Sequence, residues 1–117
     1  MTTENILNKA EGLRCWCQQI LHQESLSSDF SIQDYIENSR IATHSAQQLM
    51  RYLNQHRATL SPDQQTQILI PVLLASRIGL RDASLSQPAE RQAQILMPHI
   101  QDQSKKQSLQ SALGFEP

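Results

Sequence analysis

The sequence predicts an all-α protein, folded as a single-domain bundle of four main helices and one short C-terminal helix. Three features of the composition support this fold class. Glutamine, a good helix former, occurs seventeen times among 117 residues, whereas glycine occurs three times and aromatic residues make up 4% of the chain. A chain of this length buries a single core, so residues 1–117 are expected to form one domain.

The first predicted helix covers about residues 3–24. Its apolar residues recur at steps of four and three, the spacing that places side chains on one face of a helix. This stripe consists of Ile6, Ala10, Leu13, Cys17 and Ile20. Gly12 lies inside the same helix, where glycine costs about 1 kcal/mol relative to alanine.

The second predicted helix covers residues 32–57 and has the clearest start signal. Ser31 can cap its first turn, and Asp34 can return a hydrogen bond to the serine amide, as in a capping box. A seam of residues with alternating steps of three and four follows for about seven turns. Its members are Ile32, Tyr35, Ser39, Ala42, Ala46, Leu49, Leu53 and His56. The small residues in the middle of the seam predict close packing against another helix.

The third predicted helix covers residues 62–79. Ser61 can cap it, Pro62 suits its first position, and Gly79 is expected to end it. Because two turns of this helix carry no polar face, we predict that it lies at the centre of the bundle. Pro71 inside it removes one backbone donor and is expected to kink it.

The fourth predicted helix covers residues 88–102, begins at a proline and contains Pro98 in its interior. A last short helix is predicted over residues 105–113, opened by a capping box from Ser104 to Gln107. The short connections between these five segments favour a helical bundle.

Neither the start of the chain nor its longest apolar run predicts secretion or membrane insertion. The first residues, MTTENILNK, are polar, and residues 68–75 fall short of the roughly 20 apolar residues that span a bilayer. Cys15 and Cys17 point about 200° apart on a helix, so they cannot bridge locally and suit a reducing compartment. We therefore expect a cytoplasmic protein that has no contact with a membrane.

Side chains that could bind a metal or act as nucleophiles are scattered along the chain. The candidate metal ligands are Cys15, Cys17, His22, His44, His56 and His99. They show neither the CxxC spacing of a zinc site nor two histidines one turn apart. The chain also lacks a G-x-S-x-G elbow and a glycine-rich phosphate loop. The sequence therefore predicts no catalytic residue, no metal and no cofactor, and a protein that is not an enzyme.

Residues 74–90 place a small residue, Ala75, four positions before Gly79, with apolar residues on both sides. This pattern resembles the helix-turn-helix of prokaryotic regulators, in which a tight turn lets two short helices pack closely. The resemblance implies a DNA-binding transcriptional regulator. The side chains placed to contact DNA would be Arg77, Arg81, Ser84 and Gln87. Pro88 and the near-zero net charge depart from that class, so DNA binding is the second hypothesis.

The second predicted helix has apolar residues on a further face, because Ile41 and Tyr52 lie roughly opposite its seam. A helix of this kind either lies inside the fold or offers one face to another chain. Trp16 follows Gly12 by one turn, and a flat aromatic ring beside a notch suits an interface anchor. The candidate interface residues are Trp16, Ile41, Gln48 and Tyr52. The sequence thus favours a protein that binds another protein, as an inhibitor, adaptor, chaperone or regulator, and a homodimer through the second helix is one such assembly.

Charge is unevenly distributed, although the formal net charge is −1. Residues 1–37 hold two basic and six acidic side chains, whereas residues 38–57 hold three arginines and no acid. Such polarity can steer a chain toward a charged partner or toward a second copy of itself.

Overall fold

The computed structural model describes residues 2–26, 31–79 and 83–114. Within these ranges the chain forms five α-helices and one short 3₁₀ helix, and no strand. The α-helices are α1 (Thr3–Leu26), α2 (Ile32–His56), α3 (Pro62–Ala75), α4 (Ala83–Leu96) and α5 (Gln103–Ala112). The 3₁₀ helix, Met97–His99, follows α4 directly. The predicted all-α helical bundle is confirmed.

Two serines start α2 and α3 as predicted. The Ser31 hydroxyl accepts a hydrogen bond from the Asp34 amide (3.2 Å), and the Asp34 carboxylate accepts one from the Ser31 amide (3.3 Å). Ser61 and Gln64 make the same reciprocal pair at the start of α3, with distances of 3.1 and 3.0 Å. Each capping box satisfies two backbone donors that a helix start leaves unpaired, so local sequence sets where these two helices begin.

Helix α3 lies at the centre of the bundle and contacts α1, α2, α4 and α5. Its buried side chains include Ile68, Leu69, Val72 and Leu73. The helix continues through Pro71, which is itself buried. A helix without a polar face must have neighbours around it, and the predicted central position is confirmed.

Helices α1 and α2 both pack against α3. The buried stripe of α1 consists of Ile6, Ala10, Leu13 and Cys17, as its spacing predicts. The seam of α2 is buried from Ala42 to Leu53, whereas its first member, Ile32, is 75% exposed. The α2 seam therefore contributes to the core only in its second half.

Helix α3 ends at Ala75, so the prediction that it runs to Gly79 is wrong. The Ser76 hydroxyl donates a hydrogen bond to the Leu73 carbonyl oxygen (2.6 Å), and the chain then turns. Gly79 adopts a positive φ of 61°, and a Cβ on this residue would collide with the carbonyl oxygen of Tyr35. The glycine thus lets the turn approach the backbone of α2, a contact that no local pattern shows.

Helix α4 begins at Ala83 and ends at Leu96, so the predicted range 88–102 is wrong at both ends. Its buried side chains recur at steps of four, four and three on one face. They are Leu85, Ala89, Ala93 and Leu96. Because Leu85 belongs to this face, the helix starts before it, and Pro88 lies exposed inside the helix rather than at its first position.

The segment that joins α4 to α5 also differs from the prediction. Pro98 lies in the 3₁₀ helix and not inside an α-helix. The Asp63 carboxylate accepts a hydrogen bond from the Gln101 amide (3.3 Å), which ties this segment to the start of α3. Asp102, and not Ser104, caps α5, and its carboxylate accepts hydrogen bonds from the amides of Ser104 (2.9 Å) and of the following residue (3.3 Å). Helix α5 therefore begins two residues earlier than predicted.

Candidate functional site

A groove of about 400 Å³ lies between α1 and α2, and we call it the α1–α2 groove. Gly12 and Trp16 line it from α1, one turn apart. A Cβ on Gly12 would have no atom within 4 Å, so the glycine leaves an open notch beside the ring. Ile41 lines the groove from α2 and is 47% exposed. The remaining lining residues are Lys9, Leu13 and Ser45. The structure thus brings together two of the four candidate interface residues, Trp16 and Ile41.

The other two candidates, Gln48 and Tyr52, hold α1 against α2. The Gln48 side chain accepts a hydrogen bond from the Lys9 ammonium and forms another with Nε2 of His44 (3.2 Å). The Tyr52 hydroxyl lies 2.9 Å from Oγ1 of Thr3, and its ring packs partly buried against the core. Neither side chain lines the α1–α2 groove, and each makes a contact between α1 and α2 within the chain.

A larger groove of about 930 Å³ is formed by α1, α3 and α5, and we call it the α1–α3–α5 groove. Its apolar lining residues are Leu7, Ile70, Leu74 and Ala112, and the others are polar or charged. Among the charged ones, Arg14 donates hydrogen bonds to Glu11, which lowers the pKa of the Glu11 carboxyl below its ordinary value.

Sequence reasoning missed the α1–α3–α5 groove. Two of its walls, α1 and α5, lie at opposite ends of the chain, and no pattern within either helix shows that they flank α3. The half-burial of Leu74 marks this gap, but it appears only in the structure and not in the sequence pattern. A central helix that keeps an apolar side chain partly exposed must border a gap between its neighbours.

The two cysteines have different surroundings, although both belong to α1. Cys15 is exposed, whereas Cys17 is buried, and burial raises the pKa of the Cys17 thiol to about 12. The Cys17 thiol therefore stays protonated and unreactive near neutral pH. Within the described residues, no three His, Cys, Asp or Glu side chains come close enough to hold a metal ion. In the same part of the chain, no helix is both long enough and apolar enough to cross a bilayer.

Three of the four candidate DNA contacts lie within the described residues, and Arg81 lies outside them. Arg77 is half-buried, and its guanidinium lies beside the glycine that follows α5. Ser84 and Gln87 are exposed near the start of α4. Residues 76–79, which follow α3, form a turn. DNA binding stays a prediction that rests on the sequence pattern.

The α1–α2 groove is the place where the candidate interface residues and an open apolar surface coincide. The α1–α2 groove is therefore the candidate functional site. Comparisons with protein-family models, with characterised proteins and with solved structures give no match to this chain.

Proposed function

We propose that this protein has no catalytic role and acts by binding another protein through the α1–α2 groove, as an inhibitor, adaptor, chaperone or regulator does. The main support for the proposal is that Trp16 and Ile41 line the same groove. Tryptophan is enriched among the residues that dominate binding energy at interfaces. Covering the exposed part of one isoleucine contributes about 2 kcal/mol at ~25 cal/mol per Å², so these two side chains suit the centre of an interface.

The chemistry of the two grooves favours the smaller one as the interface. Charged residues are depleted at the centre of protein interfaces, because their water must be removed on binding. The α1–α2 groove has one charged lining residue, Lys9, and its ammonium already bonds to Gln48. The larger groove has four charged lining residues, which are Glu4, Glu11, Arg14 and Lys105. A partner therefore removes less water from charged groups at the α1–α2 groove.

The compartment that we propose is the cytoplasm. Cys15 and Cys17 are both free thiols. Free thiols persist where the surroundings are reducing, and an exposed one such as Cys15 is otherwise prone to oxidation.

The test compares two isoleucines on the surface of the bundle. Ile41→Asp places a carboxylate in the α1–α2 groove, and Ile95→Asp places one on α4, where the isoleucine is 58% exposed and lines neither groove. Each purified chain is tethered and incubated with native lysate, and retained proteins are identified and quantified. We expect the wild type and Ile95→Asp to retain a stoichiometric partner, or further copies of the chain, and Ile41→Asp to retain at least about tenfold less.

Circular dichroism checks that each variant keeps the helical content of the wild type. If Ile41→Asp loses helicity, Ser45→Arg obstructs the same groove from a half-buried polar position. A partner that binds both groove variants as strongly as it binds the wild type contradicts the proposal. A wild type that is monomeric and retains nothing also contradicts it.

A further inference from the structure

We propose that the partner at the α1–α2 groove is a second copy of this chain, whose α2 lies antiparallel to α2 of the first copy; this inference rests on the function proposed above. Besides its buried seam, α2 carries a stripe on its outer surface, with alternating steps of three and four. This outer stripe consists of Asp34, Glu37, Ile41, His44, Gln48 and Arg51, all exposed or half-buried. Such spacing places these side chains along one face of the helix.

The outer stripe is acidic toward one end and basic at the other. Asp34 and Glu37 lie near the start of α2, and Arg51 lies near its end. Among the described residues, neither Glu37 nor Arg51 forms an ion pair within the chain. Antiparallel copies of α2 bring the acidic end of each against the basic end of the other, whereas parallel copies bring like charges together. The stripe is therefore complementary to itself, as the interface of a two-fold dimer must be.

Ile41 sets the register of the two helices, because it is the apolar residue of the stripe. When the two-fold axis passes between Ile41 and His44, the isoleucines of the two copies lie within one turn of each other. Asp34 and Arg51 then lie at equal distances from the axis, about 13 Å at a rise of 1.5 Å per residue. Each Arg51 consequently lies opposite Asp34 of the other copy, with Glu37 of that copy one turn away.

The α1–α2 groove gives the second α2 a surface to lie on beside the outer stripe. The notch at Gly12 admits a helix closely, and the ring of Trp16 supplies a flat apolar contact at its edge. Helices α1 and α2 and their counterparts then pack as a four-helix arrangement. Trp16 is the one tryptophan in the chain, so its fluorescence emission reports the covering of this groove.

The test exchanges charges between the two ends of the outer stripe, with the variants Asp34→Arg and Arg51→Glu, at positions that face each other in this register. Because the Asp34 carboxylate also accepts a hydrogen bond from the Ser31 amide, circular dichroism checks that Asp34→Arg keeps the helical content of the wild type. Either change alone opposes like charges in an antiparallel pair. Two-fold symmetry repeats the altered contact, so we expect the dimer Kd to rise roughly tenfold. An equimolar mixture of the two variants restores opposite charges, and the dimer recovers in the mixture. Arg91→Glu, an exposed arginine on α4, is the matched control and leaves the dimer unchanged.

Sedimentation velocity over a range of concentrations measures the assembly, together with the emission of Trp16. Low salt is used, because screening weakens exposed charge pairs. A wild type that stays monomeric at every concentration it tolerates overturns the inference, and so does a mixture of variants that does not recover.

The two proposals can fail separately. If the wild type is a monomer but retains an unrelated protein that Ile41→Asp loses, the second copy is ruled out and the binding function of the groove stands. If the wild type is a dimer that neither Ile41→Asp nor Arg51→Glu weakens, both the groove and the antiparallel arrangement are ruled out.

Discussion

Glycine has opposite roles at two positions of this chain. Gly79 has a positive φ and touches the backbone of α2 at Tyr35, where a side chain does not fit. Gly12 lies in the regular backbone of α1 with free space beside it. The sequence predicts a helix end at the first and a cost to helix stability at the second. Tertiary contact, and not residue type, decides which glycine the fold requires.

We expect Gly79→Ala to lower the free energy of unfolding by about 2 kcal/mol or more. A side chain at positive φ costs about 1–2 kcal/mol, and the collision with the Tyr35 carbonyl oxygen adds to that cost. Gly12→Ala is the matched control, and we expect it to raise the free energy of unfolding by up to about 1 kcal/mol. Urea unfolding followed by circular dichroism measures both changes. Unchanged stability of Gly79→Ala would contradict the close approach of the turn to α2.

Helix starts show how far local hydrogen bonds determine an element. Ser31 and Ser61 cap α2 and α3 as predicted, because each can pair with a residue three positions later. At α5 the same reasoning selects Ser104, but Asp102 is the cap. The aspartate carboxylate reaches two backbone amides and also carries negative charge at the positive end of the helix dipole. Where two possible capping residues lie two positions apart, the charged carboxylate is favoured over the neutral hydroxyl.

Asp102→Ala is expected to lower the free energy of unfolding by about 1 kcal/mol, the usual cost of losing an N-cap. Ser104→Ala is expected to change it by less than about 0.5 kcal/mol, because the serine side chain is not the cap. Thermal and urea unfolding of the two variants, compared with the wild type, measure the difference. A larger loss for Ser104→Ala than for Asp102→Ala would show that the serine caps α5 after all.

The bundle as a whole is organised around α3. Four helices contact it, and no polar residue interrupts its last two turns, residues 68–75. The outer helices pack chiefly against α3 and make fewer contacts with one another. The grooves between α1 and α2 and between α1 and α5 follow from that arrangement. The candidate binding surfaces are therefore consequences of the central helix rather than of any local motif.

Because α3 lies at the centre of the bundle, we expect the free energy of unfolding to depend more on its buried side chains than on apolar side chains at the surface. We expect Leu69→Ala to lower the free energy of unfolding by about 2–5 kcal/mol, since Leu69 is fully buried. Ile95→Ala removes a similar side chain from the surface of α4 and is expected to change stability by less than about 0.5 kcal/mol. Urea midpoints of both variants give the comparison. Similar losses at the two positions would contradict the central place of α3.

The candidate site was predictable in part. Helical spacing placed Ile41 outside the α2 seam and Trp16 one turn after Gly12, and both line the α1–α2 groove. Spacing also selected Tyr52, but its hydroxyl bonds to Thr3 across the junction of α1 and α2. Whether an apolar face is open or covered depends on the neighbouring helix, which periodicity within one helix does not reveal.

The all-α class, the five α-helices of the described residues and the starts of α2 and α3 follow from local sequence. These features depend on propensity, on apolar spacing and on hydrogen bonds between residues a few positions apart, such as Ser31 and Asp34. The end of α3, the start of α4 and the choice of apolar side chains that line a groove depend on packing between helices. Gly79 lies against Tyr35, which is distant in sequence, and Leu85 is buried in the core of the bundle. Most of the stability of a helix in a protein comes from tertiary packing rather than from propensity, so such contacts can move a helix boundary away from its local signal.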